Sequence, residues 1–375
     1  MTSPASAVYI RTVSAYGQAE PSVGALLEES GYLDAMAETP GLVVVKPNLI
    51  HAAHPDEAAT THPEVVRGVV KALQRTGHPV VIADSYSGAF PWSQRFLERV
   101  YRETGMADVA RSSGCELSMD LDWGIRSLRD APLGRIETLR VIERAAFMVN
   151  VPKLKTHSYT GLTCAVKNLF GVVPGHFKVS YHARFAEEDL FSLALRGLAL
   201  SLPVMVTVVD AVTAMEGEGP AAGDPRPVGA LMAGGDLLAV DRVAARFCGL
   251  DPASMMWLGR GDGTVVGPQP EELVPGGLRR ATPHRLDMGV FRSPLVRSLA
   301  RRLLKGVFSP APAIVHRRCV RCIACIAACP VEAMTRGRDF PKVDRRRCIR
   351  CYCCHEACRS HAIVIRPSPL GRFLA

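Results

Sequence analysis

Along residues 7–250 the hydrophobic and polar positions switch repeatedly between two periods. Short, almost unbroken apolar runs (Val8–Val13, Leu42–Val45, Pro79–Ala83, Ala145–Asn150, Val204–Val209 and Val228–Ala233) read as strands buried on both faces. Between them, apolar residues spaced three and four apart predict helices over Ser22–Met36, from Pro63 to about Thr76, over Trp92–Glu103, over Glu187–Leu200 and from Asp236 through Cys248. Thr61-His62-Pro63-Glu64 has the form of a capping box with proline in the first turn, and Gly77 follows that helix. A short helix is expected near Thr163, inside a Gly-punctuated stretch from Gly161 to Gly175. Met215–Pro225 is too rich in Gly and Pro for anything but a loop. Alternating strand and helix predicts an α/β fold with a mostly parallel sheet, assigned to residues 1–290.

From Phe291 the pattern changes. Ser293–Val307 reads as a basic amphipathic helix, with Arg297, Arg301, Arg302 and Lys305 beside Leu295, Leu299, Leu303 and Leu304. Such a helix can pack against the α/β body or the following domain, or lie on a membrane surface. Ser309-Pro-Ala-Pro312 is a stiff linker, so residues 291–312 connect the α/β domain to a cysteine-rich domain at 313–375.

That last domain carries two runs of the form C-x2-C-x2-C-x3-C: Cys319, Cys322, Cys325, Cys329, and then Cys348, Cys351, Cys354, Cys358. The runs resemble those of bacterial ferredoxins, in which three thiolates of one loop hold a [4Fe–4S] cube and the fourth cysteine serves the other cube. The resemblance implies two [4Fe–4S] clusters, one on Cys319, Cys322, Cys325 and Cys358 and the other on Cys348, Cys351, Cys354 and Cys329. It also implies a bacterial-type dicluster α+β ferredoxin domain. Pro330 fits the pattern, Arg359 stands where a second proline is usual, and Cys353 is surplus to both sets. Structural zinc takes four ligands per ion, usually as spaced pairs, and does not fit this spacing.

Composition narrows the class. The chain has 375 residues, 48% of them hydrophobic and 22% charged, enough for two domains with a substantial core. Eight of its twelve cysteines lie in metal spacing, which points to a reducing compartment rather than a disulfide scaffold. No secretory leader or membrane-spanning run is legible, so a cytoplasmic protein is expected. The net charge of +9 is concentrated: Arg317–Ser360 holds eleven Lys and Arg against four Asp and Glu. Two oxidised four-thiolate cubes offset roughly four of those charges. The remaining basicity suits an acidic electron donor of the ferredoxin or flavodoxin type. No nucleic-acid motif or aromatic interleaving accompanies it, so nucleic acid is not expected as a partner.

The unusual polar residues of the α/β domain follow its strands. Lys46 and Asn48, Asp84 and Ser85, Lys153, Lys155 and His157, and Asp210 each come directly after an apolar run. In open parallel sheets ligands bind beyond the carboxyl ends of the strands, so these residues are expected to converge on one crevice. Lys167, Asn168, Lys178 and His182 form a second polar patch. With Lys46, Asn48, Asp84, Lys153, Asn168, Lys178 and Asp210 as contacts, the crevice suits a small anionic substrate. Lys155, His157, Lys167 and His182 are the candidates to supply protons; the two histidines are also candidate metal ligands.

At these residues the chain resembles the DUF362 family. The resemblance rests on Lys46-Pro47-Asn48, Asp84-Ser85, Lys153-Leu-Lys155-Thr-His157, Lys167-Asn168-Leu-Phe-Gly171 and His182. It extends to Asp210, Met215-Glu-Gly-Glu-Gly-Pro220, Gly235-Asp236 and Asp241, and so covers about residues 40–250 plus the cysteine domain. His62 stands where the family often has Asn. The resemblance implies an iron–sulfur protein with a redox role. At the level of topology the chain is also similar to the N-terminal domain of the nickel-pincer lactate racemase family. Three functions stay open at this point: a reductase passing single electrons to a crevice-bound anion, an electron-relay module serving a separate enzyme, and a non-redox isomerase with structural clusters. No flavin motif is legible.

Overall fold

The computed structural model of the chain describes residues 6–128, 134–185, 188–259, 261, 263–281 and 310–366. Its strands are β1 (Ala7–Thr12), β2 (Val43–Pro47), β3 (Val80–Ile82) and β4 (Glu116–Leu117), then the separate hairpin of β5 (Trp123–Ser127) and β6 (Arg135–Leu139). They continue with β7 (Phe147–Val151), β8 (Lys153–His157), β9 (Gly161–Thr163), β10 (Val204–Glu216), β11 (Asp224–Gly234) and β12 (Thr264–Val266). The ten-stranded sheet runs β12-β1-β11-β10-β7-β2-β3-β4, with β8 beside the later half of β10 and β9 against β8. The pairs β1–β11, β10–β11 and β8–β9 are antiparallel and all others parallel, so the sheet is mostly parallel.

The sheet is covered on both faces, which is why its strands are apolar at consecutive positions. In β2, Val43 and Val45 pack with Val65, Val69 and Leu73 of the helix Pro63–Arg75. Val44 between them joins the opposite core with Leu198, Val240 and Phe247. Each such fully buried side chain contributes about 1.5–3 kcal/mol.

Several elements differ from the sequence pattern. The helix expected over Ser22–Met36 is two helices, Ala19–Glu29 and Tyr32–Ala37, with Gly31 at φ 73° between them. The cap of Pro63–Arg75 is His62, whose Nδ1 accepts from Glu64 N at 3.2 Å. Thr61 is occupied elsewhere, donating to Val151 O at 2.6 Å and accepting from Asn48 N at 2.8 Å. The residues expected to lie beyond the end of β7 form the strand β8, set off by Pro152, which lacks the N–H a continuous ladder needs. Likewise β10 does not stop at Asp210 but runs on to Glu216, so the Gly-rich loop shrinks to residues 217–223.

In the cysteine-rich domain β13 (Ala311–Ile314) pairs antiparallel with β16 (Ile363–Arg366), and β14 (Met334–Thr335) with β15 (Lys342–Val343). A one-turn helix follows each cysteine loop, Ala324–Ala327 and Cys353–Glu356. Contacts with the α/β body are direct. His355 Nε2 lies 3.3 Å from Glu218 O, Arg359 pairs with Glu103 at 3.5 Å, and Tyr352 meets Tyr159 edge-on at 6.4 Å. The basic helix expected over 293–307 lies outside the described residues.

Candidate functional site

Parallel pairing sets Lys46 opposite Asn150 and Asp210 opposite Lys153, so polar residues from four strands meet at one edge of the sheet. From there a chain of side-chain amides runs into a cleft. Lys155 Nζ donates to Asn48 Oδ1 (2.7 Å), Asn48 Nδ2 to Asn168 Oδ1 (2.9 Å), Asn168 Nδ2 to Asn150 Oδ1 (2.8 Å) and Asn150 Nδ2 to Ala165 O (3.0 Å). Lys155 also donates to Ala59 O and Pro220 O, at 2.7 and 3.1 Å. Three acceptors need three N–H groups, so the ammonium is the form held, although burial and the nearby Lys167 and Lys153 pull its pKa well down.

The cleft is lined by Asn48, Asp84, Lys155, Lys167, Asn168, Lys178 and His182 from the α/β domain, and by Ala328, Cys353 and Glu356 from the cysteine-rich domain. Lys167 and Asn168 stand on the one-turn helix Ala165–Asn168, whose first N–H groups, of Ala165 and Val166, donate to the buried Asp241 at 2.6 and 3.0 Å. Lys178 donates to Ser85 O and Tyr86 O, at 2.7 and 3.1 Å. Lys167 faces the Glu356 carboxylate electrostatically, and among the described residues His182 Nδ1 is buried without a hydrogen-bond partner. The His182 ring stacks on Phe191 at 4.4 Å, and burial pushes its pKa down to about 4.

Glu356 is the cleft residue the sequence reading missed. Its Oε1 lies 3.3 Å from His157 Nε2, and His157 Nδ1 accepts from Tyr159 N and Thr160 N at 2.9 and 3.2 Å. With Nδ1 an acceptor, the neutral ring carries its proton on Nε2, facing the carboxylate. Burial would raise the Glu356 pKa, but His157, Lys167 and His182 outweigh it and hold the carboxyl below its usual range. His157 is pushed down to about 3, chiefly by burial. A lone carboxylate between His355 and Ala357, in the turn from Cys354 to Cys358, was the available signal; nothing in one dimension says that this turn faces the strand ends.

Three expected crevice contacts do not line the cleft. Lys46 is a buried ion pair with Asp84 (2.6 Å), and Lys153 pairs with Asp210 (2.9 Å). Lys153 also donates to the Tyr16 hydroxyl at 2.6 Å, and Tyr16 stacks on His62 at 3.5 Å. These charges are spent on each other because desolvation would otherwise force them neutral.

Burial leads in depressing His51, His62 and His182 to about 4 and His157 to about 3. The unfolded chain binds those protons near the ordinary value of 6.5, so the stabilisation is complete above it and is lost as pH falls towards 4. The urea midpoint is expected to drop markedly between about pH 7 and pH 5; a flat profile would contradict these burial assignments.

The two cysteine loops share one backbone. Positive φ recurs at Arg321 and Arg350 (58° and 60°), at Ile323 and Tyr352 (58° and 61°), and at Glu332 and His361 (52° and 51°). Alternation of left- and right-handed residues gathers backbone N–H groups into an anion-binding concavity. The trailing cysteine of each run accepts a backbone N–H: Ala333 N to Cys329 Sγ at 3.1 Å, and Ala362 N to Cys358 Sγ at 3.2 Å. Cys329, Cys348, Cys351 and Cys354 line one small cavity. Cys325 is pushed up to about 11 by burial and by the adjacent Cys358, Cys322 and Cys319. The adjacent Cys353 thiol lowers the Cys351 pKa, and Cys353 is itself raised by Cys351 and by burial. Among the described residues no group of three or more His, Cys, Asp or Glu is arranged to hold a single metal ion, His157 and His182 included.

A doubly covered, mostly parallel sheet whose strand ends gather buried lysines, amides and carboxylates beneath a cysteine-rich cap defines an α/β protein with a polar cleft at the strand ends. Residues 43–246 match the family described as Domain of unknown function (DUF362), and the chain belongs to that family. It is 31% identical over 253 residues to the thylakoid-associated protein sll1697 of Synechocystis sp., covering 67% of this chain and 77% of that one. Among solved structures it is similar to the lactate racemase apoprotein from Thermoanaerobacterium thermosaccharolyticum. That likeness has 12% identity and a TM-score of 0.42, and covers 64% of this chain and 57% of that protein. No helix among the described residues is long and apolar enough to cross a membrane.

Proposed function

We propose that the chain is an iron–sulfur reductase that passes single electrons to a small anionic substrate held in the cleft. One cube would sit on Cys319, Cys322, Cys325 and Cys358, the other on Cys348, Cys351, Cys354 and Cys329. The observation that carries this reading is the double origin of the cleft wall. Lys155, Lys167 and Lys178 come from the sheet domain, while Ala328, Cys353 and Glu356 come from the cysteine loops themselves. The donor chemistry fits: eight thiols in two repeated concave loops, with N–H groups aimed at Cys329 and Cys358 sulfur. When bound, the clusters supply electrons one at a time. Lys167 and Lys178 bind the anionic group, Lys155 and the amide chain fix Asn48 and Asn168 as orienting contacts, and Glu356 closes the cleft to water. In this reading Lys167 would deliver a proton to a C=C or C=N bond as it is reduced, while His182, held neutral by burial, would orient the substrate.

Burial, with Lys46 and Lys167 adding to it against Asp84 and Glu356, pushes Lys178 down to about 7. Its ammonium is therefore lost as pH rises through that value in the free protein. Affinity for a small dicarboxylate or phosphate is expected to fall above about pH 7, and Lys178→Arg to abolish the dependence, since a guanidinium stays charged. Affinity that held steady from about pH 6 to 8 in the parent would remove Lys178 from the binding site.

The reading is tested by reducing the anaerobically purified chain, adding low-molecular-weight or macromolecular fractions of its host's extract, and following absorbance near 400 nm. Rapid reoxidation by small molecules supports the reductase. Reoxidation only by macromolecules favours a relay serving a separate enzyme, and none by either favours a non-redox isomerase with structural clusters.

A further inference from the structure

We propose that the loop Cys319–Ile323 and the arginines around it dock an acidic one-electron carrier protein, so that electrons enter at the first cysteine run and leave at the second. The inference rests on the cluster occupancy proposed above and adds a direction and a partner surface to it.

The two loops are the same backbone in opposite surroundings. Val320, Arg321, Cys322 and Ile323 correspond to Ile349, Arg350, Cys351 and Tyr352, and the matched φ values at 321/350 and 323/352 fix that correspondence. In the second loop Cys351 is 8% and Tyr352 2% exposed; Tyr352 donates to Pro310 O at 2.9 Å, and the next residue, Cys353, lines the cleft. In the first loop Cys322 is exposed, between Val320 at 68% and Ile323 at 42% exposure. A duplicated loop of which one copy is sealed against the cleft and the other left open, apolar residues outward, is the arrangement of an exit and an entrance.

Charge says what the entrance receives. Arg317, Arg318 and Arg321 are all exposed around it. Arg321 is held over the Phe340 ring at 5.0 Å, and His316 stacks on the same ring at 4.3 Å, so its guanidinium is set in place before a partner arrives. An apolar pair ringed by cations matches a carrier with carboxylates around its own redox centre. Two apolar side chains are too little surface to anchor a protein on lipid, which takes an amphipathic helix or an acyl chain. The transfer moves one electron from the reduced carrier, which is oxidised, to the chain, which is reduced; no bond forms and no proton moves.

The test uses the full chain and, as probe, a small acidic ferredoxin, with dissociation constants measured at several salt concentrations. Parent binding is expected to weaken with salt. Arg321→Glu and the pair Val320→Ser/Ile323→Ser are each expected to weaken it about tenfold or more. Arg95→Glu, the same charge change at an exposed position of the helix Gln94–Glu103, is expected to leave it within about twofold. The absorbance near 400 nm should be the same in all variants. Unchanged binding in the loop variants overturns the proposal, as does loss of binding to phosphatidylserine vesicles in place of loss of carrier binding. A parent chain without absorbance near 400 nm would instead overturn the cluster assignment beneath it.

Discussion

Gly171→Ala is expected to destabilise the chain by about 3–5 kcal/mol, although it adds a single methyl group. A Cβ at this position would fall inside van der Waals contact with both Asp84 Oδ1 and Lys46 Nζ, the two halves of a fully buried ion pair. Neither group can move away cheaply. Asp84 also accepts from Leu49 N at 2.6 Å and Ser85 N at 2.9 Å, while Lys46 donates to Pro47 O at 2.9 Å. Displacing the pair leaves two charges desolvated and apart, the situation that makes a broken buried pair costly. The melting temperature is expected to fall by about 10 °C. Lys46→Met should match that loss, and adding Asp84→Leu should recover part of it, because removing both charges relieves the desolvation that removing one creates. A melting temperature unchanged in Gly171→Ala would show that the pair is not packed against residue 171.

Iron chelation under reducing conditions is expected to unfold the cysteine-rich domain and leave the sheet domain folded. The cores around the first cysteine set contain little besides Cys325, Met334, Cys354, Cys358, Ala362 and Ile363, and several of those are the cysteines themselves. A domain of that size needs a staple; in the proposed reading the cubes are that staple, and without them the concave loops would have nothing to close on. Amide exchange over 313–366 should rise by orders of magnitude while β2, β7 and β10 stay protected. The near-ultraviolet signal of Trp92, Trp123 and Trp257, all in the sheet domain, should persist. The cleft would lose Ala328, Cys353 and Glu356, so anion affinity should fall as well. Exchange that did not change on chelation would mean the loops are held by packing alone.

Most of the sheet could be read from the sequence because its strands are apolar on both faces and its helices carry a clear stripe. The apolar run Leu42–Val45 became β2, and Asp236 caps the helix Leu237–Phe247 through Leu238 N and Ala239 N. The misreadings share a cause. Lys153, Lys155 and Asp210 looked like loop residues because charges rarely sit inside strands. They do so here because each finds its partner within the sheet edge: Lys153 on Asp210, Lys155 on Asn48 and two carbonyls. Pairing across 57 residues leaves no local trace in the sequence. The cleft was legible by half. The polar strand ends announced a site, but the lid comes from a domain whose orientation only the fold reveals, and with it came Glu356 and its contact to His157.

The most direct measurement is iron and acid-labile sulfide per chain in anaerobically purified protein, with the spectrum taken before and after reduction. Two cubes require about eight of each, with a broad absorbance near 400 nm that bleaches on reduction. Zinc in place of iron, or iron well below one cube per chain after anaerobic reconstitution, would contradict the assignment of the eight cysteines and the reductase built on it.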